Sequence, residues 1–203
     1  MISFPDTTAF ILAGGRSSRM GTDKAFLRLG NQNLLERAIT TAKRVCGTVV
    51  LVGDADKLSV FGRAVGDKFP GQGPLAGIHA ALTSSFASEF NLMLSIDIPL
   101  VSAEFLNHLL RESRSSNAQV LVQRARGHLQ TLCAVYHRQF AEIAEPALRE
   151  GRNKIEPLFA EIATRILEED EMKALGFSPD IFDNVNTPED WRGMKQRLGE
   201  KAE

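Results

Sequence analysis

Apolar and polar positions along this chain fall into short blocks of two different periods, and the blocks alternate. Thr8 to Leu12 is a short apolar run ending at Ala13-Gly14-Gly15, the pattern of a buried strand entering a tight turn. Leu34, Leu35, Ala38, Ile39, Ala42 and Val45 recur at helical spacing, with Glu36, Arg37, Lys43 and Arg44 between them. That spacing predicts an amphipathic helix, and Gly47 is read as its stop. Thr48 to Val52 is β-branched and apolar, a second strand. Pro74 to Leu82 reads as a helix with proline in its first turn. Phe90 to Ile96 predicts a third strand that delivers Asp97 at its carboxyl end. Ser102 can cap a helix with Glu104 in the first turn and Phe105, Leu106, Leu109 and Leu110 facing inward. Gln119 to Val122 and Leu132 to Tyr136 predict two further strands. Residues 139 to 150 predict a helix closed by Gly151, and residues 163 to 168 a strand. Pro188 to Leu198 predicts a last helix with Trp191, Met194 and Leu198 on one face.

Strands alternating with helices imply crossover units, and hence an α/β fold with a mainly parallel sheet covered by helices on both faces. Ligands of such sheets sit beyond the carboxyl ends of the strands, at a switch point. The loops at 13 to 24, 66 to 74 and 97 to 99 are therefore the places to look for chemistry.

Composition narrows the classes of function. A chain of 203 residues suits one domain, and at that length roughly 70% of the unfolded surface can be buried. A hydrophobic share of 43% excludes disorder. With 24 basic and 25 acidic residues the formal net charge is -1, which argues against a nucleic-acid binder. Anions bound by this chain should be small and held by local groups. Cys46 and Cys133 stand far apart with no Cys-x-x-Cys pair, so neither a disulfide framework nor a zinc site is expected. Residues 1 to 6 lack a secretory signal pattern, and no apolar run approaches the roughly 18 residues of a membrane span. The expectation is a cytoplasmic protein without membrane or nucleic-acid partners.

Four segments carry candidate chemistry. The first runs Leu12-Ala13-Gly14-Gly15-Arg16-Ser17-Ser18-Arg19-Met20-Gly21-Thr22-Asp23-Lys24. Glycines after a strand let backbone approach a ligand, and their N–H groups can form an anion-binding concavity. Arg16, Arg19 and Lys24 add positive charge, which suits a triphosphate. The run is neither a Walker A loop nor the dinucleotide Gly-x-Gly-x-x-Gly pattern. The second is Asp97 in Ser95-Ile96-Asp97-Ile98-Pro99. A carboxylate at the end of a buried strand is costly unless it is paired or bound to a cation. Magnesium takes one or two carboxylates together with substrate phosphates. A turn or cap role for Asp97 is the alternative from the same residues. The third is the long connection from Asp67 through Gly73-Pro74-Leu75-Ala76-Gly77, which ends at a helix N-terminus able to attract anions. An ordinary glycine-proline loop fits it equally. The fourth is Asn184-Val185-Asn186-Thr187-Pro188-Glu189-Asp190, a helix cap whose asparagines could also reach a ligand.

Taken in order, these segments resemble the molybdenum cofactor guanylyltransferase family, the MobA-like proteins of the nucleotidyltransferase superfamily. The resemblance rests on Leu-Ala-Gly-Gly, Arg-Met-Gly, Asp-Lys, Gly-Pro-Leu-Ala-Gly, the Asp-x-Pro turn and Asn-Val-Asn-Thr-Pro-Glu, from Phe10 to about Asp190. It implies a three-layer, Rossmann-like nucleotidyltransferase fold in a single domain, residues 1 to 203. The N-terminal half would bind nucleotide and the C-terminal half the acceptor. It implies Mg2+ as cofactor, and GTP and molybdopterin as partners joined into the guanine dinucleotide with release of pyrophosphate. Molybdopterin-loading proteins and molybdoenzymes would be the protein partners. By position, Leu12, Ala13, Gly14, Gly15, Lys24, Asp67, Gly73, Pro74 and Asp97 would contact GTP. Asp97 would hold the metal, Lys24 and Arg19 would offset leaving-group charge, and Asn186 would lie near metal and acceptor. Gly14-Gly15 with Gly73-Pro74-Leu75 resembles the guanylyl rather than the cytidylyl branch, which tends to carry Ala-Ala-Gly. The chain departs from the pattern at Gly53-Asp54, where some members carry asparagine. It departs again at His128-Leu129-Gln130-Thr131, where a His-Pro pair is common. The basic run Arg124, Arg126 and His128 is a second candidate for the acceptor's phosphate, and a solvated hairpin face is the plainer reading of it. A CTP-dependent or sugar-phosphate nucleotidyltransferase, a GTP sensor without turnover and a cofactor carrier are the remaining alternatives.

Overall fold

The computed structural model describes residues 3 to 14 and 24 to 198. Along the chain lie β1 (Phe4–Leu12), β2 (Arg28–Leu29), β3 (Gln32–Asn33), α1 (Leu34–Lys43), β4 (Cys46–Val52), α2 (Ala55–Leu58) and β5 (Ala64–Val65). They are followed by α3 (Pro74–Leu82), β6 (Phe90–Ser95), α4 (Ala103–Ser115), β7 (Val120–Ala125), β8 (His128–Leu129) and β9 (Cys133–His137). The chain closes with α5 (Phe140–Arg149), β10 (Thr164–Leu167), α6 (Glu169–Ala174) and α7 (Pro188–Arg197). The main sheet runs β10-β7-β9-β6-β1-β4-β5, with β8 attached to β7, while β2 and β3 form a separate small hairpin. β1 pairs in parallel with both β4 and β6, β4 with β5, and β7 with β10. β9 enters antiparallel between β6 and β7, a direction that hydrophobic periodicity does not encode.

Strand side chains point alternately to the two faces, and two separate cores follow. Ala9, Ile11, Leu51, Leu92, Leu94 and Val135 pack on one face with Leu35 and Ala38 of α1 and with Phe105, Leu106 and Leu109 of α4. Phe10, Leu12, Val50, Val52, Met93 and Tyr136 pack on the other with Leu75 and Ile78 of α3 and with Phe140, Ala144 and Leu148 of α5. The result is the expected three-layer arrangement. α3 is buried all round, from Leu75 to Leu82, so its apolar residues show no stripe. α1 and α4, at the surface, each bury one face. α1 begins at a capping box between Asn33 and Glu36, and α4 at Ser102, whose hydroxyl accepts from the Phe105 N–H at 3.1 Å.

Gly47 does not stop α1. The helix ends at Arg44, and Gly47 lies inside β4 beside Pro5 of β1. A Cβ at that position would collide with the Pro5 carbonyl. The pairing of β1 with β4 also shifts register between Phe4 and Thr8. Gly47 is thus a close-approach glycine. Gly151 has φ 74° just past α5, a left-handed position at which glycine ends a helix without strain. Among the described residues no helix is long and apolar enough to cross a membrane.

β1 lies between β4 and β6, and the connections to these neighbours leave on opposite faces. α1 leads from β1 to β4 over one core, and α3 leads into β6 over the other. The carboxyl ends of β1, β4 and β6 therefore bound a crevice at a switch point of the sheet.

Candidate active site

A cleft of about 910 Å³ opens at that crevice. Its floor is backbone. The Ala13 N–H donates to the Val52 carbonyl at 3.0 Å, which lays the turn after β1 across the end of β4. Gly14 then meets Gly53. A Cβ on Gly14 would lie 3.3 Å from the Gly53 Cα, and Gly53 has φ 150°. Two glycines face to face leave main-chain groups open to a ligand, with no side chain between. Lys24 lies on the cleft wall where the described chain resumes. Gly15 and Arg19, with Arg16, lie outside the described residues.

A second wall comes from the connection after β5. Gly73 has φ 71° and is the N-cap of α3, with no side chain bonded to the helix's first N–H groups. Gly73, Pro74 and Gly77 all line the cleft. A helix start without a side-chain cap is suited to anions or polar base edges. Asp67 stands on the same wall, and the protein around it removes enough water to raise its carboxyl above the usual range.

Asp97 occupies the turn after β6 and is half-buried at the cleft. Its backbone carbonyl accepts from the Val185 N–H at 2.8 Å, and the Pro99 carbonyl accepts from Arg37 Nε at 2.6 Å. Val185 is fully buried, so the segment 184 to 187 is pinned against the Asp97 turn. Beside it, Lys24 Nζ donates to Asn186 Oδ1 at 2.8 Å, joining residues 162 positions apart. The Asp190 carboxylate accepts from the N–H groups of Asn186 and Thr187. These backbone bonds, with the Thr187 hydroxyl and the charge of Lys24, hold its pKa low.

Of the residues expected to contact nucleotide, the structure gathers Leu12, Ala13, Gly14, Lys24, Asp67, Gly73, Pro74 and Asp97 around one cleft. Asn186 reaches it through Lys24. Arg124, Arg126 and His128 lie at the same edge of the sheet, on β7, β8 and the turn between them, but do not line the cleft. Arg124 is paired with Glu168 at 3.1 Å, and Arg126 with Asp180 and Asp183 at 2.5 Å each. His128 is exposed. Val52, Gly53, Gly71, Ser95, Ile96 and Leu132 also line the cleft and carried no assignment from sequence. Gly53 had a visible signal, a glycine directly after a predicted strand. Leu132 had none, because it reaches the cleft through the Ser95 N–H bond to its carbonyl, made possible by the antiparallel entry of β9.

Among the described residues there is no group of three or more His, Cys, Asp or Glu that could hold a metal ion. Among the described residues, Asp67 and Asp97 are the acids of the lining. One or two carboxylates in a cleft large enough for a nucleotide is the oxygen-rich, partly open setting that Mg2+ accepts when phosphates complete its shell.

The model of the MobA-like NTP transferase domain family matches residues 9 to 166. A probable molybdenum cofactor guanylyltransferase of Pelotomaculum thermopropionicum is 34% identical over 185 residues, covering 90% of this chain and 89% of that protein. One from Carboxydothermus hydrogenoformans is 32% identical over 188 residues, covering 92% and 94%. The crystal structure of molybdopterin-guanine dinucleotide biosynthesis protein A from Archaeoglobus fulgidus superimposes with a TM-score of 0.83 at 25% identity. It covers 95% of this chain and 98% of that one.

Proposed function

The chain belongs to the MobA-like NTP transferase family, and on that premise we propose that it is a molybdenum cofactor guanylyltransferase. It transfers GMP from GTP to the phosphate of molybdopterin, forming molybdopterin guanine dinucleotide and pyrophosphate. The observation that carries this reading is the convergence of backbone glycines, Lys24, an uncapped helix start and Asp97 on one cleft.

In this reaction an oxygen of the acceptor phosphate attacks the α-phosphorus in line, a new P–O bond forms, and the bond to the leaving pyrophosphate breaks. A phosphate nucleophile is already ionised at neutral pH, so the site needs no general base. Positioning and charge compensation are what such a transfer asks of a protein. With the Ala13 N–H committed to Val52, the main chain at Gly14 is what the turn after β1 presents to the triphosphate. Lys24, oriented by its bond to Asn186, supplies a cation there. Gly73 and Pro74 present the start of α3 to the nucleotide, and Asp67 offers an acceptor for base or ribose. Mg2+ would be held by Asp97 and the nucleotide's phosphates, where it supplies charge neutralisation and Lewis acidity. Asn186 stands on the acceptor side. The hairpin arginines reach the acceptor's phosphate only by exchanging carboxylate partners for it.

A thermal-shift series with GTP, CTP, ATP and UTP in magnesium tests the donor. Binding at a hundred times Kd stabilises by about 2.7 kcal/mol, so GTP should raise the melting temperature several degrees above the others. Equal shifts for all four, or a selective CTP shift, would contradict the guanylyl assignment.

A further inference from the structure

We propose that Arg37 is a positioning residue for Asp97: from the first turn of α1, its guanidinium holds the turn that presents this carboxylate to the cleft. The inference rests on Asp97 being the metal-holding group of the reaction above. Sequence spacing places Arg37 among the polar residues between the buried positions of α1. The structure instead turns it inward, half-buried, with Nε 2.6 Å from the Pro99 carbonyl.

The geometry makes this contact a strut. Asp97 is followed by Ile98 and Pro99, and proline has no N–H with which to tie the turn into the sheet. Beyond the buried Ile98 side chain and the Ile96 N–H bond to the Leu12 carbonyl, two carbonyls fix the turn. Val185 takes the Asp97 carbonyl from one side and Arg37 takes the Pro99 carbonyl from the other. The base of the strut is rigid, because the capping box at Asn33 fixes the start of α1 and Leu34, Leu35 and Ala38 are buried against the sheet. The gap between α1 and the turn, lined by Arg37, Thr41, Ser95, Ile98 and Pro99, amounts to about 10 Å³. That is room for about one water and leaves the turn little slack. A bond from a cation to a carbonyl is stronger than a neutral one, and its loss leaves the carbonyl unpaired.

The test uses the full chain with Arg37→Met, Arg37→Lys and Asp97→Asn, and Mn2+ as the metal probe. Free Mn2+ is read by electron paramagnetic resonance in the presence of GTP, which needs no turnover. Arg37→Met should weaken Mn2+ binding by about tenfold, the lower range for a lost supporting partner of a metal ligand. It should raise the Mg2+ concentration for half-maximal pyrophosphate release by a similar factor. The KM for GTP at saturating metal should stay within about twofold, and Arg37→Lys should recover part of the loss. Wild-type Mn2+ affinity in a folded Arg37→Met would overturn the proposal. So would a loss of GTP affinity as large as the loss of metal affinity, because that is the mark of a general structural defect. If the methionine variant does not fold, Arg37→Gln, which stays polar but cannot reach Pro99, takes its place under the same criteria. Should Asp97→Asn bind Mn2+ as wild type does, the functional reading itself fails. Should Asp97→Asn lose Mn2+ while Arg37→Met keeps it, only the role of Arg37 fails.

Discussion

His79 shows how single residues here are set by their surroundings. It sits on α3 with 1% of its surface exposed, the ring of Phe69 edge-on at 5.2 Å and Glu145 Oε2 3.5 Å from Nε2. Burial lowers its pKa below the ordinary value, and the neighbouring Glu145 only partly offsets that. A histidine whose folded pKa lies below its unfolded value of about 6.5 favours the unfolded, protonated chain as the pH drops. Its stability contribution is therefore complete above pH 6.5 and declines as the pH falls below it. Melting curves between pH 7.5 and 5.5 should show the midpoint falling, and His79→Leu should flatten that trend. A midpoint with the same pH dependence in both proteins would contradict the burial account. Cys46 and Cys133 are governed by the same force. Burial pushes both thiols up to about 12, so they are packing residues, not nucleophiles.

At the scale of elements, periodic sequence is legible and short or directional structure is not. α3, α4 and α5 stand within a residue or so of where apolar spacing, Ser102 and Gly151 place them. β2, β3, β5 and β8 are two residues each, too short to show any period, and they owe their existence to partners distant in sequence. A glycine after a helical pattern reads as a helix stop, whereas the cause of Gly47 is the Pro5 carbonyl on another strand. Gly47→Ala should therefore destabilise by about 1–3 kcal/mol through overpacking. For a chain of this size, each kcal/mol lowers the melting temperature by roughly 2–4 °C. Urea unfolding checks this. An alanine variant as stable as wild type would mean that the β1–β4 contact relaxes freely. The tie between Val185 and the Asp97 turn leaves no mark in the sequence, because it spans the chain and uses only backbone.

For the whole molecule, the site was more legible than its support. Glycines after the first strand, Asp97 after the third and the Gly73-Pro74 helix start are strand-end features, and a parallel sheet brings strand ends together whatever lies between. The C-terminal segments are different. Arg126 has φ 51° at the hairpin tip and joins Asp180, Asp183 and Arg197 in a network that anchors the approach to residues 184 to 187. Sequence showed its charge but not these partners. Arg124→Ala with Arg126→Ala should change the KM for GTP less than the acceptor KM, and the acceptor KM decides the hairpin's part. A rise of several-fold keeps the hairpin in the acceptor site, and an unchanged value removes it.

Asp97 and the glycine turn act, in this reading, on one nucleotide to transfer its nucleoside monophosphate. GTP labelled at the α-phosphate, incubated with magnesium, molybdopterin and the purified chain, tests it directly. Label should enter the dinucleotide while pyrophosphate is released, and Asp97→Ala should reduce this transfer at least about a hundredfold. Label that stays in GTP with the wild-type chain, or moves equally well with Asp97→Ala, would contradict it.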